Sequence, residues 1–297
     1  MTGSDNLRGI ALMAGAMALF AAEDMFLKFA AKDLPTGQIL LITCLFGMAF
    51  FGAMARIQGQ RTLTRDALHK WVLLRNLGEM VGTYAYITAL ASVPLATVSA
   101  VLQAMPLVVT MGAALFMGER VGWRRWSAIG VGFAGVLVVI RPGLDGFEPA
   151  ALWVLVTVLG LGLRDLASRA IPAAISSAQL SAWGVASVAV LGAGMMPFQV
   201  AVMPDLWQSA MLLGALCFGT AGYWAITQAS RTGEVSVVSP FRYSRLIFAI
   251  VIGLVIFGEP ADVMTLCGAA IIIMSGLYSF ARERIRKRAL STLRPAG

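Results

Sequence analysis

The sequence predicts an all-α integral membrane protein: ten transmembrane helices arranged as two inverted five-helix repeats. Three observations carry that prediction. Hydrophobic residues fill 59% of the 297 positions and charged residues only 13%. Apolar runs near the length of a membrane span recur along the whole chain, and residue patterns of the first half return in the second at a nearly constant offset. An average soluble domain is about 25% charged. A chain of mean hydropathy +0.80 has too little polar surface to cover itself in water.

Hydrocarbon about 30 Å thick takes about 20 apolar residues as a helix. Spans are expected at 9–31, 36–56, 70–91, 95–117, 121–140, 150–169, 177–199, 206–229, 234–257 and 261–281. Helix is the physical choice because each backbone amide in lipid needs an internal partner, and a β-barrel would show alternating strands of about ten residues instead of continuous runs. The first run, preceded by Arg8, is longer than a signal h-region of about 7–15 residues. It also carries Glu23, Asp24 and Lys28, which match a later segment, so it is read as a retained span. The expected loops are too short for a soluble catalytic or nucleotide-binding domain.

Loop charge sets the expected orientation. One side collects Arg8, Arg56, Arg61, Arg65, Lys70, Arg120, Arg124, Arg125, Arg169, Arg231, Arg282, Arg284, Arg286, Lys287, Arg288 and Arg294; the other collects Lys32 and Arg141. Sixteen against two places both termini in the cytoplasm by the positive-inside rule. The net charge of +8 is thereby a matter of topology, and no basic patch interleaved with aromatics points to nucleic acid. Cys44, Cys217 and Cys267 lie in separate apolar segments without a CxxC and read as packing residues.

The halves share a register. Gly118-Glu119 and Gly258-Glu259 close spans 4 and 9 at an offset of 140, where Gly82 also falls on Gly222, Ala89 on Ala229, Val98 on Val238 and Ser99 on Ser239. Spans 1 and 6 match at 141, with Asp24 on Asp165 and Lys28 on Arg169. Five spans per half is odd, so the second half enters from the opposite face, the inverted repeat used for alternating access by many secondary transporters. These residues, with the Gly-rich spans 5 and 10, resemble the drug/metabolite transporter superfamily, specifically its ten-helix group of two EamA repeats. Within that group the chain looks most like bacterial exporters of aromatic and other amino acids. The resemblance implies repeats at 1–143 and 144–297, the second with a basic cytoplasmic tail. It also implies a bacterial inner-membrane location and a central cavity lined by spans 1–4 and 6–9, with spans 5 and 10 outside it. Symmetry is imperfect: Glu79 has Gly219 as its counterpart, and Arg242 has Leu102.

A charge at the centre of a span costs about 2.5–3.5 kcal/mol on insertion scales, so such residues face a cavity or a partner. Glu23, Asp24, Arg75, Arg164 and Asp165 are the gating or ion-pair candidates. At 1.5 Å rise per residue, Glu79 and Arg242 lie roughly 12–14 Å deep and Arg75 and Asp165 roughly 6–8 Å. The expected pairs are Glu79 with Arg242 and Arg75 with Asp165, as structural locks or as parts of a gate. Lys28 is expected near the outer interface, with snorkelling as the simple reading. An amino acid needs a donor, an acceptor and room for its side chain. The candidate cavity residues are Asn76, Glu79, Thr83 and Tyr86 along one stripe of span 3, then Gln103, Trp183, Tyr223, Trp224, Ser239, Arg242 and Tyr243. Ordinary packing or lipid contact is the competing reading of each aromatic. Trp123, Trp126, Trp153 and Trp207 fall near span ends and fit the interfacial belt. Pro106 and Pro240 interrupt spans 4 and 9, as static bends or as hinges.

Several motifs are discounted. Gly130 to Gly135 spells GxGxxG without a preceding strand, so close helix approach explains it better than a dinucleotide site. No Walker A sequence, metal-ligand spacing or Ser–His–Asp set is present, and His69 is the only histidine. The expected function is a non-enzymatic secondary transporter without cofactor or metal, exporting amino acids and related metabolites. Coupling ion and oligomeric state (monomer or homodimer) stay open. Competing readings are carriage of a nucleotide sugar, an organic phosphate or a hydrophobic cation, or a membrane scaffold or enzyme without transport.

Overall fold

The computed structural model describes residues 3–62, 64–119, 121–144, 147–172, 174–232 and 235–292. Arg120 and Arg294, both counted in the loop charges, lie outside the described residues, as do the side chains of Arg231, Arg286, Lys287 and Arg288. Within the described residues the chain is helical and has no strand. The first half holds α1 (Gly3–Asp33), α2 (Thr36–Ile57), α3 (Lys70–Ser92), α4 (Leu95–Leu102), α5 (Met105–Phe116) and α6 (Trp123–Ile140). The second holds α7 (Leu152–Arg169), α8 (Ser177–Met195), α9 (Leu206–Thr232), α10 (Val235–Val238), α11 (Arg245–Phe257) and α12 (Val263–Thr292). Nine stretches are long and apolar enough to cross a membrane among the described residues. The tenth expected span, α3, is long enough at 23 residues but carries Arg75, Asn76 and Glu79.

Two expected spans are broken. Span 4 is α4 and α5, separated at Gln103–Ala104, and Pro106 sits in the first turn of α5. A proline ring clashes with the carbonyl four residues back, here Leu102, which is where α4 ends. Span 9 is α10, a 3-10 segment Ser239–Ser244 with Pro240 in its first turn, and α11. The breaks coincide under the repeat offset although the prolines do not: Gln103 falls on Tyr243.

Four helix pairs form the scaffold: α1 with α9, α3 with α7, α2 with α8, and α6 with α12. Exchanging the halves turns the α1–α9 pair into α7–α3 and maps the other two onto themselves, so an internal two-fold relates the repeats. The pairs are antiparallel. Phe26 meets Phe218 at 5.3 Å between ring centroids, while Phe20, two turns earlier, lies against Gly222. Along α2, Gly37 meets Met195 and Gly47 meets Val185. Five crossings per half with antiparallel partners invert the second half and bring both chain ends to one face. The α3–α7 crossing is made by bare backbone: a Cβ on Gly78 would lie 2.6 Å from the Gly160 carbonyl oxygen. The glycines of the GxGxxG stretch serve the same end, since a Cβ on Gly135 would lie 2.9 Å from the Gly268 oxygen of α12.

The two Gly-Glu turns are helix caps. Gly118 and Gly258 adopt φ of 68° and 65°. The amide of Glu119 donates to Ala113 O at 3.1 Å, and that of Glu259 to Gly253 O at 2.9 Å. The bond reaches six residues back, one further than a Schellman closure, and the left-handed glycine turns the chain and fixes the direction in which it leaves the helix. In each half it aims a glutamate at the other half.

A left-handed conformation costs an L-residue about 1–2 kcal/mol. Gly258→Ala is therefore expected to lower the melting temperature in detergent. Gly15→Ala, inside α1 with no atom within 4 Å of its Cβ position, is expected to leave it unchanged or raise it. Equal melting temperatures for the two variants would contradict the capping role.

Candidate functional site

The polar side chains of α1, α3, α7 and the α10–α11 segment converge between the halves in two clusters. In the first, Asp24 of α1 has a side chain only 2% exposed, and a buried carboxylate requires a partner. Arg245, the first residue of α11, supplies it. Its Nη2 donates to both carboxylate oxygens at 2.7 and 2.8 Å, and its Nε donates to Oδ2 at 3.2 Å. The Tyr86 hydroxyl of α3 donates to Asp24 and accepts from Arg245 Nη2 at 2.9 Å. Phe20 lies 5.6 Å from the guanidinium. Three elements are thereby joined at one carboxylate.

The second cluster replaces both ion pairs expected from the sequence. Glu79 does not face Arg242. Its Oε2 meets Arg75 Nη2, one turn away on the same helix, at 3.2 Å, and its Oε1 meets Arg164 Nη1 at 3.1 Å. Asp165 does not pair with Arg75; it takes Arg164 Nε at 2.8 Å. The reason is the Gly78–Gly160 crossing, which brings α7 so close to α3 that Arg164 reaches Glu79 first. Arg75 also donates to Asn76 Oδ1 at 3.1 Å, and its guanidinium lies over Gly184 of α8.

Arg242 stands apart. It is exposed, within the 3-10 segment at the break of the ninth span, and makes no ion pair within 4.0 Å among the described residues. Beside it, the buried Gln103 donates to the carbonyl of Tyr243, its own symmetry mate, at 3.3 Å, so the two helix breaks touch. Ser239 and Thr83 are half-buried. Tyr223 is half-buried too, its ring edge-on to Phe51 at 5.2 Å.

Other expected cavity residues sit elsewhere. Trp224 is 60% exposed and lies on one helical stripe with the exposed Leu213 and Cys217, the outer face of α9; Gly219 and Gly222 turn the opposite face to α1. Trp183 is buried, and its indole N–H donates to Thr62 O at 2.6 Å, tying the α2–α3 loop to α8. The Tyr243 phenol lies over Gly276 of α12.

Lys28 is a further correction. It does not snorkel but is buried, bonded to Glu259 at 2.9 Å and donating to Val93 O at 2.6 Å, while Glu259 accepts from the Leu95 amide at 3.1 Å. The equivalent pair, Arg169–Glu119, stands at 3.1 Å with both side chains nearly half exposed. Each joins one repeat to the other, one at the end of α1 and the other at the end of α7. The signal was in the sequence, since Lys28 falls on Arg169 and Glu119 on Glu259, but a match between halves aligns residues without saying which of them touch.

The comparisons with known proteins respect the same division into halves. The model of the EamA-like transporter family matches residues 7–141 and again 148–280. A riboflavin transporter of Rhizobium johnstonii is 27% identical over 82% of this chain and 81% of its own length. An S-adenosylmethionine uptake transporter of Rickettsia bellii is 24% identical over 91% of each chain. A pseudopaline exporter of Pseudomonas aeruginosa is 22% identical over 90% of this chain and 94% of its own. A solved crystal structure superposes with a TM-score of 0.61 at 20% identity over 96% of this chain and 99% of that one, the same fold.

Removing one member of a buried ion pair costs about 3–5 kcal/mol because the other charge is stranded. Arg245→Leu alone is expected to reduce the yield of folded, monodisperse protein in detergent severalfold. Adding Asp24→Asn is expected to restore most of it. A double variant no more stable than the single one would contradict direct pairing.

Proposed function

The chain belongs to the EamA-like transporter family, and from that premise we propose that it carries amino acids and related metabolites bearing a carboxylate across the bacterial inner membrane by alternating access. The family is one of transporters, not enzymes. The observation that carries the finer reading is Arg242, an exposed guanidinium without an ion pair among the described residues, where the two broken spans meet. The second cluster already matches Arg75 and Arg164 to Glu79 and Asp165, so the positive charge of Arg242 is left for a solute. Guanidinium forks suit carboxylates in two-point contact. Discontinuous helices at the repeat interface are a common setting for transporter substrate sites.

The ion pairs between the repeats support the cycle. In Lys28–Glu259 the lysine is buried and the glutamate partly so, while in Arg169–Glu119 both side chains are nearly half exposed. Exchanging which pair is sealed exchanges which face the site opens to. Net export is the direction this reading adopts, with both termini in the cytoplasm; the named relatives include uptake carriers and an exporter. S-adenosylmethionine, named for several relatives, carries an α-carboxylate and an α-ammonium. A second reading, a planar heteroaromatic solute, is favoured by the Phe51–Tyr223 ring pair and by the relatives named as riboflavin transporters.

Proteoliposomes loaded with labelled amino acids, S-adenosylmethionine or riboflavin separate these readings. Arg242→Gln is expected to slow carboxylate-bearing substrates at least tenfold, which is about 1.4 kcal/mol. If only riboflavin is carried, and equally well by the variant, the carboxylate reading fails and the planar one stands.

A further inference from the structure

Four carboxylates lie within the spans near the repeat interface: Glu23, Asp24, Glu79 and Asp165. Three have cationic partners, Asp24 in Arg245, Glu79 in Arg75 and Arg164, and Asp165 in Arg164. Glu23 makes no ion pair within 4.0 Å and no hydrogen bond among the described residues. Its carboxyl lies against the backbone of α9: a Cβ added to Gly219 would fall 2.7 Å from Cδ and 3.1 Å from Oε2.

The internal two-fold explains the vacancy opposite it. At an offset of 141 Glu23 corresponds to Arg164, and at 140 Gly219 corresponds to Glu79. One half therefore closes this contact as Arg164–Glu79 at 3.1 Å, and the other sets a carboxyl against a glycine. An unpaired acid at such a place carries the cost of an isolated charge unless it is neutralised. Here the neighbouring cation is already engaged, since Arg245 gives its guanidinium to Asp24.

The geometry points to Glu23 as the proton-binding carboxyl that couples transport to a proton gradient, an inference that rests on the transporter reading. With Glu23 protonated, Glu23, Asp24 and Arg245 together are neutral, and the Asp24–Arg245 contact holds α1 to the start of α11. When Glu23 gives up its proton the trio carries one negative charge, and two carboxylates compete for one guanidinium. The contact that loosens is the one joining α1 to α11, whose far end is held by Lys28–Glu259. One proton enters from the side of higher concentration and leaves on the other, with no bond changed but the O–H.

Every element packed on this stretch contributes to the field. Lys28 lies further along α1, and Tyr86 comes from α3. The α10–α11 segment brings Arg242, Tyr243 and Arg245. On α9, Cys217 lies on the outer face and Tyr223 one turn beyond Gly219, and α2 carries the buried Cys44 and, in its last turn, Arg56. None of these approaches Glu23 as an ion-pair partner.

The test uses the full chain in proteoliposomes, with pyranine trapped inside to report protons and the same labelled panel as solute. Infrared difference spectra across a pH titration read the protonated carboxyl directly. Wild type is expected to accumulate solute in response to an imposed pH gradient and to lose a carboxyl C=O band on alkalinisation. Glu23→Gln is expected to lack that band and to lose gradient-driven accumulation at least tenfold, while exchange at equal pH persists. Glu23→Asp, which keeps a titrating carboxyl, is expected to keep the coupling with a displaced pH profile. The inference is overturned if Glu23→Gln retains the band, if it responds to the gradient as wild type does, or if the folded variant loses exchange as completely as accumulation. Wild type carrying no member of the panel would instead sink the transporter reading, and the infrared titration would still decide whether Glu23 binds the proton.

Discussion

Charge inside hydrocarbon must be matched, and most of this molecule's interior is arranged by that need. A membrane interior offers no water to solvate an ion or a free amide. The chain nevertheless carries carboxylates and guanidiniums in α1, α3, α7 and α11. Each of those helices is pinned to another by the partner its charge requires. Asp24 gathers Arg245 and Tyr86, so α1, α3 and α11 meet at one point. Glu79 and Asp165 share Arg164, joining α3 to α7. Such pairs hold register more than they add stability, because desolvation offsets much of the attraction.

Close approach of backbones makes those pairings geometrically possible. Helices in lipid gain nothing from hiding apolar surface from other apolar surface, so packing and small residues decide which pairs form. The Gly78–Gly160 crossing is so tight that Arg164 reaches Glu79. The same crossing on the other side of the two-fold, α1 on α9, has Gly219 where the acid would be. A symmetric frame thus holds an asymmetric set of charges, which a carrier needs if solute and coupling ion are to differ.

The ends of the frame are asymmetric too. Two equivalent glutamates, aimed by two left-handed glycines, meet two equivalent cations, and one pair is largely enclosed while the other is nearly half exposed. The α6–α12 pair is stapled differently, by Arg125–Glu283 at one end and Arg141–Asp262 at the other, with the Ser275 hydroxyl on the Ala128 carbonyl between. With both of its ends fixed, it is suited to stay still while the other helices rock.

Much of this was legible in the residues. Apolar run length gave the spans, because lipid thickness admits few alternatives. The shared offset of Gly118-Glu119 and Gly258-Glu259, with an odd number of spans per half, gave the inverted repeat. The residue types that meet between the halves were also visible, since a charge in a span is conspicuous. Their partners were not. Depth along a helix orders residues on one axis only, and Glu79 with Arg242 matched in depth while differing in azimuth and in the helix each one faces. Crossing geometry set at Gly78 and Gly160 chose Arg164 for Glu79, and left Arg242 and Glu23 without an ion pair among the described residues. Trp183 and Trp224 were equally ambiguous, because an aromatic suits core, lipid and cavity alike until the packing of α8 and α9 assigns its face. Sequence alone determined how often the chain crosses and that its halves are inverted copies, for hydrophobic length and periodicity are local properties. Tertiary structure alone decided which charges neutralise one another and which remain available, for that depends on helix rotation and separation, which no single span encodes.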